Sequence, residues 1–287
     1  CYSFYQQPLV DEEADRPKFL LMSSSTKSHL DKNNFLKGYF QLLQNEMGVE
    51  ILDQNSLYEK YDQTGVNVSS AAFYIRDGYI ISHVHELNQL AHNYISKMEE
   101  MTTIERPLCG MKDRDDDSPA VVLFPRIGIL NRIPNKGRSI TNTAQLENTL
   151  ANISFHHQVD LEYFESSSFE EQVEFFQKTD ILISPHGAQL TGLPFLAKNG
   201  KCSQLLEIFP PKYLIPAFFG SLARHSDIGY SYLYLSDQAV NYSWPNTLKE
   251  RNQARAVNLC VSQDVIRKSI ERLVGDWRTC CQDRANE

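Results

Sequence analysis

The sequence predicts an α/β fold in which parallel strands alternate with helices. Over residues 120–237, five short apolar runs typical of buried strands are separated by stretches whose apolar residues have helical spacing. This alternation is the pattern of a parallel sheet covered by helices on both faces. At 287 residues and 41% hydrophobic side chains, the chain can bury the cores of one large or two ordinary domains.

In the C-terminal part, the predicted elements follow one another in strict alternation. The strands are Ala120–Pro125 ("AVVLFP"), "QVDLEYF", "DILIS", "SQLLEIF" and "GYSYLYL". The helices between them are "TNTAQLENTLANI", "SSSFEEQVEFFQK", "GAQLTGLPFLA" and "YLIPAFFGSLARH". Ser168 and Glu171 have the spacing of a capping box, and we expect Pro194 to bend or end the third helix. The pattern predicts a complete Rossmann-like domain over residues 119–240 and a tail with an amphipathic helix over 241–287.

Residues 1–110 are less regular but repeat the same kinds of element. A strand "KFLLM", a helix "NNFLKGYFQLLQNEM", a strand "VEILD" and a helix "HELNQLAHNYISKMEEM" predict a second α/β domain, either complete or truncated. The charged segment Gly110–Ala120 is the predicted linker. Its acidic run Asp113–Asp117 is interpreted as a solvated charge run rather than a metal site.

Charge and hydropathy exclude some partners. The formal net charge of −8 argues against a nucleic-acid partner, although a local basic pocket for a phosphorylated small molecule remains open. No apolar run reaches the roughly 18–20 residues that a membrane-spanning helix needs. Because the chain starts at Cys1, two interpretations are open: a signal or membrane anchor precedes it, or it is an excised domain.

Cysteines and glycosylation sequons indicate an oxidising compartment. Six cysteines without a Cys-x-x-Cys spacing argue against zinc and for disulfides. Three Asn-x-Ser sequons begin at Asn67, Asn152 and Asn241. In a secreted protein these asparagines would lie at the surface and carry N-linked glycans.

A polar turn interrupts the apolar pattern where the strand "DILIS" ends. Ligands of open α/β sheets bind at the carboxyl ends of strands, where a helix that begins offers free backbone N–H groups. Gly187 would let a phosphate come close to the backbone, and His186 and Thr191 would add hydrogen bonds. Two interpretations remain open: a pyrophosphate site, or a turn whose histidine only caps a neighbouring carbonyl.

Four cations form a basic loop after the first predicted strand of this sheet. An arginine fork suits phosphate oxygens, so the loop is either a phosphate clamp or a solvated surface loop. Because the loop and the Ser-Pro-His-Gly turn both follow parallel strands, we expect them at the same edge of the sheet. The four cations are Arg126, Arg132, Lys136 and Arg138.

Four motifs, in this order, resemble glycosyltransferase family 61. They are "FPR…GRSITN", "FESSSFEEQVEFFQK", "TDILISPHGAQLTGLPFL" and "LLEIFPPKYL", over roughly Val121 to Tyr234. The family includes N-acetylglucosamine transferases that act on EGF domains or on O-mannose, and plant xylosyltransferases. The resemblance implies a GT-B architecture of two facing Rossmann-like domains with parallel sheets, of which the C-terminal one holds a UDP-sugar without an obligatory metal.

The resemblance also implies roles for individual residues. The diphosphate would be contacted by Arg126 and Arg138, while Glu207 either binds ribose hydroxyls or faces solvent. Arginines and a helix dipole would meet the leaving-group charge, so no metal or other cofactor would be required. The residues expected to cradle the diphosphate are His186, Gly187, Ala188 and Thr191.

The catalytic base is expected near the start of an N-terminal helix, in "SHVHELNQL". An inverting displacement needs a base within hydrogen-bond reach of the acceptor hydroxyl, and His85 and Glu86 are the candidates. A helix-capping or surface role for both remains open. Asn142 is expected to cap the helix that follows it rather than to contact the donor.

Together these features predict an inverting glycosyltransferase of the secretory pathway lumen, in the Golgi or endoplasmic reticulum. It would move N-acetylglucosamine or xylose from UDP to a hydroxyl of a glycan or glycoprotein. The alternative is an inactive family member that binds a nucleotide-sugar or glycan as a scaffold. A nucleotide-dependent oxidoreductase is disfavoured, because no Gly-x-Gly-x-x-Gly follows any predicted strand.

Overall fold

The structure is a computed structural model, and it describes nine segments of the chain. These are residues 18–22, 34–47, 49–53, 84–101, 125–134, 137–153, 159–196, 202–235 and 247–285. Contacts divide the chain into two compact units, Cys1–Tyr94 with Ser168–Glu170, and Ile95–Ser167 with Glu171–Glu287. Within the described residues, no helix has the length and apolarity needed to cross a membrane.

The first unit contains a parallel β-α-β arrangement. Strand β1 (Lys18–Met22) pairs with strand β2 (Val49–Asp53), with Lys18 opposite Val49. Helix α1 (Asn34–Met47) connects the two strands, as parallel pairing requires. Helix α2 (Val84–Met101) begins in this unit, whose first segment ends at Tyr94, and Leu90 and Ala91 from its predicted apolar stripe are buried. These four elements confirm the strands and helices predicted for this part of the chain.

The second unit is built on a five-stranded parallel sheet with the order β4-β3-β5-β6-β7. Its central strands β3, β5 and β6 are buried along their whole length, whereas β4 and β7 at the edges are partly exposed. The strands are β3 (Ile127–Asn131), β4 (Val159–Tyr163), β5 (Ile181–Pro185), β6 (Gln204–Phe209) and β7 (Gly229–Tyr234). This confirms the predicted alternating α/β pattern, which is compatible with a Rossmann-like fold.

Helices connect successive strands of this sheet. Helix α4 begins directly after Ser168, the predicted N-cap, and buries Phe169, Val173 and Phe176 on one face. The connecting helices are α3 (Thr143–Ile153), α4 (Phe169–Lys178), α5 (Leu193–Leu196) and α6 (Ala217–His225).

Two elements of this unit differ from the prediction. Within the described residues the first strand of the sheet is Ile127–Asn131, which was expected to belong to the cationic loop, while residues 120–124 of the predicted strand lie outside the described part of the chain. The long helix expected after β5 is a 3-10 helix, Ala188–Gly192, followed by the single turn α5. Pro194 lies in the first turn of α5, where the missing N–H costs no helical hydrogen bond.

The C-terminal segment completes the core of the second unit. Helix α7 (Leu248–Arg255) begins with a capping box between Thr247 and Glu250. Helix α8 (Gln263–Ala285) packs against α3 and contributes five large apolar side chains, as well as Cys281, to the apolar core. They are Ile266, Ile270, Leu273, Val274 and Trp277. Residues 241–287, set apart as a tail by the sequence pattern, thus contribute to the sheet domain through this helix.

A disulfide fastens helix α8 to the sheet. Cys202, just before β6, is bonded to Cys280 across 78 residues of sequence, and Cys281 is also disulfide-bonded. Both half-cystines of the first bond contact the apolar core. The prediction that some cysteines are bridged is confirmed, while Cys260 is exposed and has a free thiol.

We expect the double variant Cys202→Ser/Cys280→Ser to lose about 2–4 kcal/mol of unfolding free energy, because the bond closes a long loop in the unfolded chain. The measurement is urea-induced unfolding without reductant, monitored by circular dichroism. Cys260→Ser is the matched control and should unfold like the unsubstituted protein. Equal midpoints for the double variant and the control would show that the bond adds no stability.

Candidate functional site

The candidate site lies at the switch point of the five-stranded sheet. The chain goes from β3 to the edge strand β4 and then crosses back to β5 on the other side of β3. At such a point the loops that follow the two central strands diverge and leave a crevice, where open α/β sheets bind ligands. Here these loops carry Arg132 and Arg138 after β3, and His186 and Gly187 after β5.

The loop after β3 is held in one conformation by its own side chains. The buried Asn131 side chain donates to the Ile140 carbonyl at 3.0 Å and accepts from the Ile140 N–H at 2.8 Å. The Ser139 hydroxyl donates to the Arg132 carbonyl at 2.8 Å. Gly137 and Arg138 have φ values of 71° and 57°, and a left-handed arginine is a strained conformation that must be stabilised by its surroundings.

A C-terminal segment fixes this loop from outside. We call residues 256–261 the strap. The Arg138 N–H donates to the Val257 carbonyl at 3.1 Å, and Ile140 forms a parallel bridge with Leu259. The Asn142 side chain donates to the Val261 carbonyl at 2.8 Å and accepts its N–H at 3.1 Å. Asn142 was expected to cap a helix, but its side chain holds the strap.

Three guanidinium groups meet above this loop. Arg138 Nη1 donates to the His186 carbonyl at 2.8 Å, and a Cβ placed on Gly187 would lie 3.2 Å from Arg132 Nη1 and 3.8 Å from Arg138 Nη1. Burial, followed by the charges of Arg132 and Arg255, lowers the pKa of Arg138 to about 10. Burial also lowers the pKa of Arg132, opposed by Glu165 and reinforced by Arg255. We call Arg132, Arg138 and Arg255 the arginine cluster.

The arginine cluster is not neutralised within the described part of the chain. None of its three members forms an ion pair with a described carboxylate, and Arg132 Nε is buried without a hydrogen-bond partner. At neutral pH Arg138 is still a cation, because its pKa of about 10 lies well above 7. Positive charge that is partly withdrawn from water and has no ion pair among the described residues favours an anionic ligand.

His186 is held by a fully buried carboxylate. Its Nδ1 lies 2.6 Å from Oε1 of Glu207, which is 0% exposed, and the Tyr230 hydroxyl donates to Glu207 Oε2 at 2.6 Å. Burial and this hydrogen bond raise the pKa of Tyr230. Glu207 therefore neither faces solvent nor presents a free oxygen to a ribose, and it orients His186 instead.

Arg126 does not lie with the other cations. It precedes β3, at the amino edge of the sheet, where its guanidinium forms two hydrogen bonds of 2.9 Å to Asp180, the residue before β5. Burial acts to lower its pKa, but the hydrogen bonds and charge of Asp180 raise the pKa above its ordinary value. The expectation that Arg126 follows the first strand is wrong, because that strand begins one residue after it.

The other predicted site residues are placed as follows. Ala188 and Thr191 are exposed in the 3-10 helix, where the Thr191 hydroxyl donates to the Ala188 carbonyl at 2.8 Å. The side chains of His85, Glu86 and Asn152 lie outside the described part of the chain, although their backbones are in α2 and α3. Lys136, Asn67, Asn241 and the linker Gly110–Ala120 also lie outside the described residues. Within the described residues, no three His, Cys, Asp or Glu side chains are grouped as metal ligands.

Arg255 and Tyr213 are two site residues that the sequence pattern did not indicate. Arg255 is the last residue of α7, and its guanidinium lies over the Tyr213 ring, 5.8 Å from the centroid. Tyr213 is buried and its ring lies 5.5 Å from the His186 ring. Arg255 stands more than 100 residues after Arg138, in a polar helix without a motif, so only the strap brings it to the site.

The chain matches one known family. The family model described as "Glycosyltransferase 61" matches residues 16–203, which is more than half of the chain. The match covers the loop after β3 and the turn after β5, and it ends before β6. No curated protein matches the chain significantly.

Gly137→Ala tests whether the left-handed loop is required. A Cβ there would lie 2.9 Å from the Ala256 backbone of the strap, on a residue with φ of 71°. We expect a loss of about 1–3 kcal/mol in the free energy of unfolding. Gly275→Ala is the matched control, because it adds a methyl group where nothing lies within 4 Å, in α8.

Helix propensity should make Gly275→Ala neutral or stabilising by up to about 1 kcal/mol. The measurement for both variants is urea-induced unfolding. If Gly137→Ala unfolds at the same urea concentration as Gly275→Ala, the strap does not constrain the loop.

Proposed function

The chain belongs to glycosyltransferase family 61, and on this premise we propose that it transfers a sugar from a UDP carrier to a hydroxyl of a glycan or glycoprotein. Family membership supports a glycosyltransferase, with a sugar donor and a glycan acceptor in general. The finer assignment is our own: N-acetylglucosamine or xylose as the sugar, inversion at the anomeric carbon, and the lumen of the Golgi or endoplasmic reticulum as the place.

The arginine cluster is the observation that carries this proposal. A nucleoside diphosphate brings adjacent phosphate groups, and guanidinium forks match their oxygens in both charge and geometry. Arg132, Arg138 and Arg255 converge at the switch point, where open α/β sheets bind ligands, and the partial burial of Arg132 and Arg138 strengthens their attraction for an anion. Arg126 is excluded from this role because it lies at the other end of the strands, where its Nε and Nη2 are engaged by Asp180.

In the proposed reaction the arginine cluster stabilises the negative charge that develops on the leaving UDP. The acceptor oxygen attacks the anomeric carbon, a new C–O bond forms, and the bond between that carbon and the β-phosphate oxygen breaks. The electron pair of the broken bond stays on UDP, and the acceptor proton passes to a base. Donors already in place where negative charge develops cost no reorganisation in the transition state, so we propose that no divalent cation is required.

Arg138→Ala should weaken UDP binding by about 10- to 100-fold, which corresponds to the loss of one charge-assisted hydrogen bond. The measurement is calorimetric titration with UDP, UDP-N-acetylglucosamine and UDP-xylose, each with and without EDTA. The lowered pKa of Arg138 means that its charge is unfavourable in the unliganded protein, because of burial and the charges of Arg132 and Arg255. The loss of unfolding free energy in Arg138→Ala should therefore be smaller than the loss of UDP binding free energy.

Arg126→Ala is the matched control for Arg138→Ala. It removes the same kind of side chain at the opposite edge of the sheet, so UDP affinity should not change. The substitution should instead lower the free energy of unfolding by about 1–2 kcal/mol, because Asp180 loses the arginine that pairs with it. Equal loss of UDP affinity in both variants, or loss only in Arg126→Ala, would refute the arginine cluster as the diphosphate site. Binding that vanishes in EDTA would refute metal independence.

We further propose that His85 or Glu86 is the base that deprotonates the acceptor. Replacing the base, with His85→Ala and Glu86→Gln tested separately, should abolish sugar transfer and leave UDP affinity unchanged, since the arginine cluster is intact. The measurement is UDP release with acceptor present, alongside the same titration. Full turnover in both variants would place the base elsewhere, and UDP binding without turnover in the unsubstituted protein would identify a binding or scaffold member.

A further inference from the structure

Beside the arginine cluster lies a group of aromatic rings, of which one is open to solvent. The His186 ring stacks on Phe209 at 5.0 Å and is flanked by Tyr213 at 5.5 Å and Phe219 at 5.4 Å. These three rings are buried. The fourth neighbour, Phe218, lies edge-on at 6.3 Å and is 61% exposed.

The exposure of Phe218 does not serve the packing of its helix. Phe219 and Ala223, four residues apart on α6, form the buried face of that helix, and Phe218 lies outside it. Phe218 is also the most exposed of the large hydrophobic side chains within the described residues. A lone apolar side chain at the surface needs no explanation, but this one borders a candidate ligand site.

Two short contact paths connect Phe218 with the arginine cluster. In the first, the His186 carbonyl accepts from Arg138 at 2.8 Å while the ring of the same residue contacts Phe218. In the second, Tyr213 contacts the His186 ring on one side and lies beneath Arg255 on the other. The first path passes through His186 alone and the second through Tyr213 and His186, so the guanidinium groups and the exposed ring are within reach of one nucleoside diphosphate.

We infer that the exposed ring of Phe218 is the surface on which the nucleobase of the donor stacks. This inference rests on the proposed function, because it assumes that the arginine cluster holds the diphosphate of the same ligand. A nucleobase is flat and uncharged, and it stacks on aromatic side chains with a gain of about 1–3 kcal/mol per base. The buried rings below Phe218 support the stacking ring from within.

The inference is tested with two probes that share phosphates but differ in the base. UDP and inorganic pyrophosphate are titrated calorimetrically into the unsubstituted protein and into Phe218→Ala, Phe218→Trp and Arg138→Ala. For Phe218→Ala we expect UDP affinity to fall about tenfold, while pyrophosphate affinity stays unchanged. Phe218→Trp should keep UDP affinity, and Arg138→Ala should weaken both probes. Because Phe218 is exposed, thermal unfolding of Phe218→Ala should match that of the unsubstituted protein.

Four outcomes would overturn the inference. An unchanged UDP affinity in Phe218→Ala would show that the nucleobase does not contact the Phe218 ring. If the KM for the acceptor changed in that variant, Phe218 would contact the acceptor instead. Equal loss for UDP and pyrophosphate would show that Phe218 acts through the arginine cluster. If the unsubstituted protein binds pyrophosphate but not UDP, the result supports the anion site and refutes the nucleobase site at Phe218. Binding of neither probe would refute the proposed function and this inference with it.

Discussion

Three like charges held close together are the constraint on which the site depends. Arg132, Arg138 and Arg255 repel one another, and burial makes the charged form of the first two still less favourable. A fold that neutralised them with carboxylates would lose the anion site. This fold holds Arg138 by neutral contacts, namely the His186 carbonyl and a backbone hydrogen bond to the strap, and these leave the positive charge available to a ligand.

The comparison of Arg126 with Arg138 shows how the same side chain takes opposite roles. Asp180 engages Arg126 through a forked pair and raises its pKa, so this arginine joins the starts of β3 and β5. Arg138 has no described carboxylate partner and its pKa falls, so its charge is a cost to the unliganded fold. Ligand sites are places where a protein tolerates such a cost, because an anion that binds there offsets it.

The C-terminal segment is what makes this arrangement possible. The strap pairs with the loop after β3 through Ile140 and Asn142, and Arg255 directly precedes the strap. Helix α8 follows directly and is anchored in the core by apolar packing and by the bond between Cys202 and Cys280. The packing of helix α8 in the core and the geometry of the site are therefore linked, because the helix and the strap are adjacent in the chain.

The sequence by itself determined the alternating α/β class, the order of the elements, the turn at His186 and Gly187, and the resemblance to the family. These follow from local patterns of apolar spacing and from motifs that are contiguous in the chain. It assigned "IGILN" to a loop, because "AVVLFP" just before it is also an apolar run of strand length, and local hydrophobicity does not reveal that "IGILN" pairs with β5. Only the tertiary structure decided that Arg126 and Arg138 lie at opposite edges of the sheet, that Glu207 is buried beneath His186, and that Arg255 completes the cluster. The physical reason is that strand pairing, burial and charge proximity depend on residues that are distant in sequence, and a local pattern does not contain those distances.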